Sequence, residues 1–150
     1  MPDIIYAKRW LAQSQRDYDF AAKIEKHFWP KDLEQICYHC QQATEKALKA
    51  VLAYNEVDIP KIHIIGRLVD ECNKYGFSLE MDRKVAKLIT DHATLSRYPD
   101  NMSEWVEEDA KLALKYAKLT LDAVNQYVIE SEEETKETPL LQNATQRCKK

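Results

Sequence analysis

Five polar side chains stand at helical spacing between residues 35 and 49: Gln35, His39, Gln42, Lys46 and Lys49. At about 100° per residue they share one sector of about 80°, opposite an apolar stripe on the same segment. One imidazole, two amides and two ammonium groups on a rigid face could hold a phosphate or the edge of a nucleobase. The same residues equally describe an ordinary solvated helix face. Glu45 lies next to them in the chain.

A second concentration of functional groups is Arg97-Tyr98-Pro99-Asp100. The guanidinium fork suits two phosphate oxygens, but Arg97 could also cap the carboxyl end of the preceding helix or pair with Asp100. Cys37 and Cys40 have metal-like spacing. Both fall on the apolar stripe of their helix, and no second CxxC or His-x3-His completes a zinc set, so they are expected to be reduced and structural. His92 aligns with apolar neighbours and is read as a core or interface histidine. There is no glycine-rich phosphate loop, no Gly-x-Ser-x-Gly elbow and no carboxylate cluster for magnesium, which argues against a self-contained nucleotide-transfer enzyme. No metal and no cofactor is expected.

The elements that must position these groups are helices. Two glycines and five prolines in 150 residues, with plentiful Ala, Leu, Lys, Glu and Gln, predict a single all-α domain. Ile4, Ala7, Leu11, Ser14, Tyr18 and Ala21 trace the face of a first helix that should end before Trp29-Pro30. Pro30 suits the first turn of a second helix, which Asp32 and Glu34 favour electrostatically and which runs to about Asn55. A connector to Lys61, a short third helix through Leu68 and Cys72 ended by Gly76, and a fourth from about Met81 with Val85, Leu88, His92 and Leu95 in line should follow. Asn101 and Glu104 have capping-box spacing for a fifth, long helix with Val106, Ala110, Ala113, Ala117, Leu121, Val124 and Val128 inward. Residues 1–129 thus form the bundle. Residues 130–150, beginning Glu130-Ser131-Glu132-Glu133-Glu134, read as a polar, flexible tail.

A net charge of −3 gives no general attraction to polyanions, and no run of basic residues stands out, so nucleic-acid binding would need a local site. The amino terminus lacks a basic and then apolar leader, no apolar stretch spans a bilayer, and four irregularly placed cysteines suit a reducing compartment. The expected location is cytoplasmic, without a membrane partner.

Tyr38-His39, Gln41-Gln42, Glu45-Lys46 and Leu48-Lys49 resemble the second-helix pattern of the HEPN family (higher eukaryotes and prokaryotes nucleotide-binding), and Arg97-Tyr98-Pro99-Asp100 is similar to the loop after the fourth helix in one branch of it. Trp10, Asp17, Pro60 and His63 lie in the matching order, so the resemblance covers residues 5 to 128. It implies an antiparallel up-and-down bundle of four to five helices, commonly a homodimer, often associated with a minimal nucleotidyltransferase. It carries His39, Gln42, Glu45, Lys46 and Lys49, with Arg97, Tyr98 and Asp100, as candidates for a nucleotide or RNA ligand. One departure matters. The ribonuclease branches place a His after an Arg with four to six residues between them, and from Arg97 that window holds Met102, Ser103 and Glu104. Without that imidazole the expected acid/base is missing, so the resemblance implies a non-catalytic module; the alternatives are a divergent, toxin-like metal-independent ribonuclease and a purely structural interaction protein.

Overall fold

The computed structural model describes residues 2–28, 32–95 and 105–147, with residues 94, 95 and 138–147 described by backbone alone. Five helices follow in order: α1 (Ile4–His27), α2 (Leu33–Tyr54), α3 (Ile65–Asn73), α4 (Arg83–Leu95) and α5 (Glu107–Arg147). No strand occurs among the described residues, as the composition predicts.

Local chemistry sets the ends. Asp3 and Asp32 cap α1 and α2, their side chains accepting from the backbone N–H of Tyr6 and Gln35. Each satisfies a donor that a helix start otherwise leaves open. Asp32 takes the cap itself, so α2 opens at Leu33; Pro30 lies outside the described residues. After α2 the chain turns through Glu56 at φ 57°, and after α3 through Gly76 at φ 79°. Only the second was legible, because glycine advertises the left-handed region and glutamate does not.

Contacts between helices give the topology. Asp3 N donates to Tyr54 O at 2.9 Å and Ser14 Oγ to Ala43 O at 2.7 Å, so α1 and α2 are antiparallel. Lys8 pairs with Glu132 at 3.1 Å, and Asn55 Nδ2 donates to the Tyr127 hydroxyl at 3.1 Å, so α5 runs against α1 and alongside α2. The long helices α1, α2, α4 and α5 go up and down in turn, with α3 as a short step between α2 and α4.

α2 packs against every other helix, and 15 of its 22 residues are buried, so it is the axis of the bundle rather than a half-exposed member. One core gathers Leu48, Val51 and Leu52 of α2 with Leu11, Ile65, Leu68, Ile89, Leu121 and Val124. A second is built from small groups, with Ala21, Cys37, Cys40, Ala43, Ala110, Ala113 and Ala117 letting α1, α2 and α5 approach closely.

Three boundaries differ from the sequence reading. α4 begins at Arg83 rather than Met81, and it buries Ala86, Ile89 and His92, while Val85 and Leu88 are only half-buried. The fifth helix opens at Glu107, where Glu107, Glu108 and Asp109 face its positive end; Asn101 and Glu104 lie outside the described residues. α5 also continues past 129 to Arg147, where a polar tail was expected. Along this extension the Ser131 and Thr135 hydroxyls donate to the carbonyls four residues back, and Lys8 ties Glu132 to α1.

Candidate functional site

The polar face of α2 is closed by ion pairs. Asp17 of α1 reaches across to it, Oδ1 lying 2.9 Å from His39 Nδ1 while Oδ2 accepts from Lys46 Nζ at 2.6 Å. With a carboxylate on Nδ1, that nitrogen carries the ring proton and Nε2 is left as the acceptor of the neutral imidazole. His39 and Lys46 keep about a fifth to a quarter of their side-chain surface, 22% and 24%. They form a partly open edge beside α1.

Next to it lies a deeper network around Glu45. Lys49 Nζ donates to Oε1 at 2.7 Å, His63 Nδ1 lies 2.9 Å from the same oxygen, and Gln41 Nε2 donates to Oε2 at 2.8 Å. Gln42 Nε2 donates in turn to Gln41 Oε1 at 2.7 Å. Burial pushes the Glu45 carboxyl up, but hydrogen bonds from Lys49, Gln41 and His63 outweigh it and hold it below its ordinary range. Lys49 retains only 7% of its side-chain surface and lies 5.9 Å over the Trp10 ring. His63 is the reverse case, 73% exposed on an anchored ring nitrogen.

The face read from sequence as one ridge is thus two clusters. Gln35 is exposed, Gln42 is half-buried, and each lysine has its own carboxylate. Asp17 and Glu45 offset Lys46 and Lys49, so the clusters carry no net positive charge with the imidazoles neutral. Arg97, Tyr98 and Asp100 lie outside the described residues. Sequence reasoning named Asp17, Trp10 and His63 only as landmarks, because pairing across 18 (Glu45 to His63), 29 (Asp17 to Lys46) or 39 residues (Trp10 to Lys49) leaves no periodic trace. Phe20 was missed altogether. Its ring, 49% exposed, meets His39 edge-on at 4.7 Å, and Tyr38 also meets His39 edge-on, at 5.2 Å.

The remaining candidates resolve differently. Cys37, Cys40 and Cys72 are buried free thiols. Burial, then the Asp109 charge, pushes Cys37 up to about 12; burial and the Glu71 charge do the same for Cys72, also to about 12; and Cys40 is raised as well. A thiol protonated at neutral pH is a poor nucleophile. Brief iodoacetamide treatment followed by peptide mapping should therefore leave these three unmodified in folded protein and label them in urea; labelling of Cys40 in the folded state would show the helix face to be misjudged. His92 is buried as expected but not satisfied, since neither ring nitrogen has a partner among the described residues, and Trp105 packs at 5.3 Å. Burial lowers its pKa, although Asp109 and Asp91 oppose that.

The HEPN domain model matches residues 7–127. The chain belongs to the HEPN domain family. The matched residues include the polar face of this HEPN domain's α2 and nearly all of the α1 that closes it. "Putative toxin MJ1304" of Methanocaldococcus jannaschii is 26% identical over 143 residues, covering 85% of this chain and 91% of that protein. The crystal structure of TT1696 from Thermus thermophilus superposes with a TM-score of 0.63 at 23% identity, over 80% of this chain and 96% of the other, which supports the fold. No helix among the described residues is long and apolar enough to cross a membrane.

Proposed function

We propose that this HEPN domain is a toxin-like cytoplasmic module that binds RNA or a nucleotide at the α1/α2 edge, works as a homodimer without cleaving its ligand, and has a minimal nucleotidyltransferase as partner. The observation that carries the reading is Asp17, which fixes His39 by Nδ1 and Lys46 by its other oxygen. It presents one imidazole acceptor and one ammonium at a set distance, the pairing needed for a base edge and a phosphate. Arg97, which lies outside the described residues, is the further phosphate-contact candidate that the family resemblance implies. The name of the archaeal relative supports the toxin-like character, and the homodimer is what membership of the family implies.

One observation favours divergent ribonuclease activity as a second reading: an imidazole oriented by a carboxylate is equipped to move a proton. Calorimetry with ATP and a short RNA, beside a gel assay for RNA cleavage without metal, separates the two. Binding without cleavage is expected. Lys46→Gln and Arg97→Ala should each weaken binding about tenfold or more, since a charge-assisted hydrogen bond contributes about 1.5–3 kcal/mol. Failure of the parent to bind RNA or any nucleotide ends the binding reading, and cleavage lost in His39→Asn moves the assignment to the second.

A further inference from the structure

The outer face of α1 carries cations at every seventh position, Arg9, Arg16 and Lys23, with Gln13, Phe20 and His27 between and beyond them. All six lie within about 80° of helix surface, and all six are exposed. The three cations make no hydrogen bond or ion pair among the described residues, unlike Lys8, Lys46, Lys49, Arg83, Lys87 and Lys118, each of which has a carboxylate. Asp19, at the margin of the stripe, is held by Gln15 at 2.8 Å. A chain with a net charge of −3 therefore keeps along this face three cations without an ion-pair partner among the described residues, in steps of about 10 Å, with Asp19 as the carboxylate at its margin.

The stripe also has an aromatic centre. Phe20 leaves half its surface in water where a core residue would not, and its ring touches His39, which joins the stripe to the Asp17–Lys46 edge. Free cations along a line attract a polyanion, and an exposed ring among them supplies what a phosphate does not need but an unstacked base does. Two copies of this chain would not meet here, because like charges would face each other.

We propose that the α1 stripe is a binding track for single-stranded RNA, with Arg9, Arg16 and Lys23 on phosphates spaced along one strand and Phe20 stacking one unpaired base next to His39. This rests on the RNA-binding reading above and extends it to a strand class and a second helix. A free nucleotide would use only the Phe20–His39–Lys46 end.

Fluorescence anisotropy of the full chain with a labelled RNA of about 15 nucleotides and mixed sequence, long enough to span several phosphate contacts, tests the track. Arg16→Gln and Lys23→Gln should each weaken binding several-fold and reduce the slope of log affinity against log salt by about 0.7, the single-strand value per cation. Phe20→Ser should weaken binding at least about fivefold with the salt slope unchanged, and Phe20→Trp should restore it. Lys87→Gln, on α4 and paired with Asp91, should change nothing. Annealing the RNA to its complement should remove most of the affinity. If the parent binds RNA and the α1 variants bind equally well, the track is wrong while the RNA-binding reading stands. If the parent binds no RNA, both fall. Equal competition by polyglutamate of matched charge, or equal affinity for the duplex, would make the stripe an acidic-partner or generic polyanion surface and overturn the proposal.

Discussion

Glu45→Ala is expected to destabilise the fold by about 3–5 kcal/mol, the usual consequence of leaving a buried charge without its partner. Glu45 keeps only 7% of its side-chain surface and satisfies Lys49, Gln41 and His63 together. Removing it strands the Lys49 ammonium, itself 7% exposed, between α2 and the Trp10 ring. Glu45→Gln keeps the shape and an acceptor, so its cost should be smaller, about 1–3 kcal/mol. Urea unfolding followed by circular dichroism measures both. A cost for Glu45→Ala within about 1 kcal/mol of zero would show that the network contributes little and that Lys49 escapes to solvent.

Acid should unfold the domain in two stages. His92 has a folded pKa below its ordinary 6.5 because it is buried, so the unfolded chain takes up its proton first. The stability tied to neutral His92 is therefore complete above about pH 7 and drains away as pH falls through about 6.5 towards the folded value. Glu45 also has a lowered folded pKa, against an ordinary 4.5, because its hydrogen-bond donors outweigh burial. Its contribution is complete above 4.5 and is lost only below that. Urea midpoints at about pH 7.5, 5.5 and 4 should fall at each step. His92→Leu should flatten the first step, and it should also raise stability at about pH 5.5 by sparing two unpaired ring nitrogens their burial. A parent midpoint unchanged between about pH 7.5 and 5.5 would mean that His92 finds a partner and titrates normally.

The helices were legible because burial imposes a repeat that can be read along one segment. Ala7, Leu11, Ser14 and Ala21, taken from spacing alone, are all buried. The inward phase of α4 was harder: in so short a helix, Val85 and Leu88 compete with Ala86 and Ile89, and the choice belongs to the neighbours, since Gly66 brings α3 within reach of Ala86. For the site, the sequence yielded His39, Gln42, Lys46 and Lys49 as a sector but not which of them face water. Lys49 looks like a surface lysine until Glu45 and Trp10 are placed around it. The cations of α1 escaped notice for a related reason. A search for consecutive basic residues overlooks charges seven apart, which only become neighbours once the chain is wound into a helix.

The parallel pairing of α2 with α5 bears on how the molecule comes into being. α1 and α2 meet across 29 residues, as between Ser14 and Ala43, whereas Asn55 and Tyr127 are separated by 72. Loop closure favours the nearer partners, so an α1–α2 hairpin is the unit expected to assemble first, with α5 arriving last. Asp17, His39 and Lys46 all belong to that hairpin, yet the alanine face it leaves uncovered waits for Ala110, Ala113 and Ala117. During synthesis the Asp17–His39–Lys46 edge is thus spelled out within the first third of the chain but stays without its backing until α5 has emerged. A ribosome-bound fragment has these three groups and lacks the packed face that holds their helices rigid.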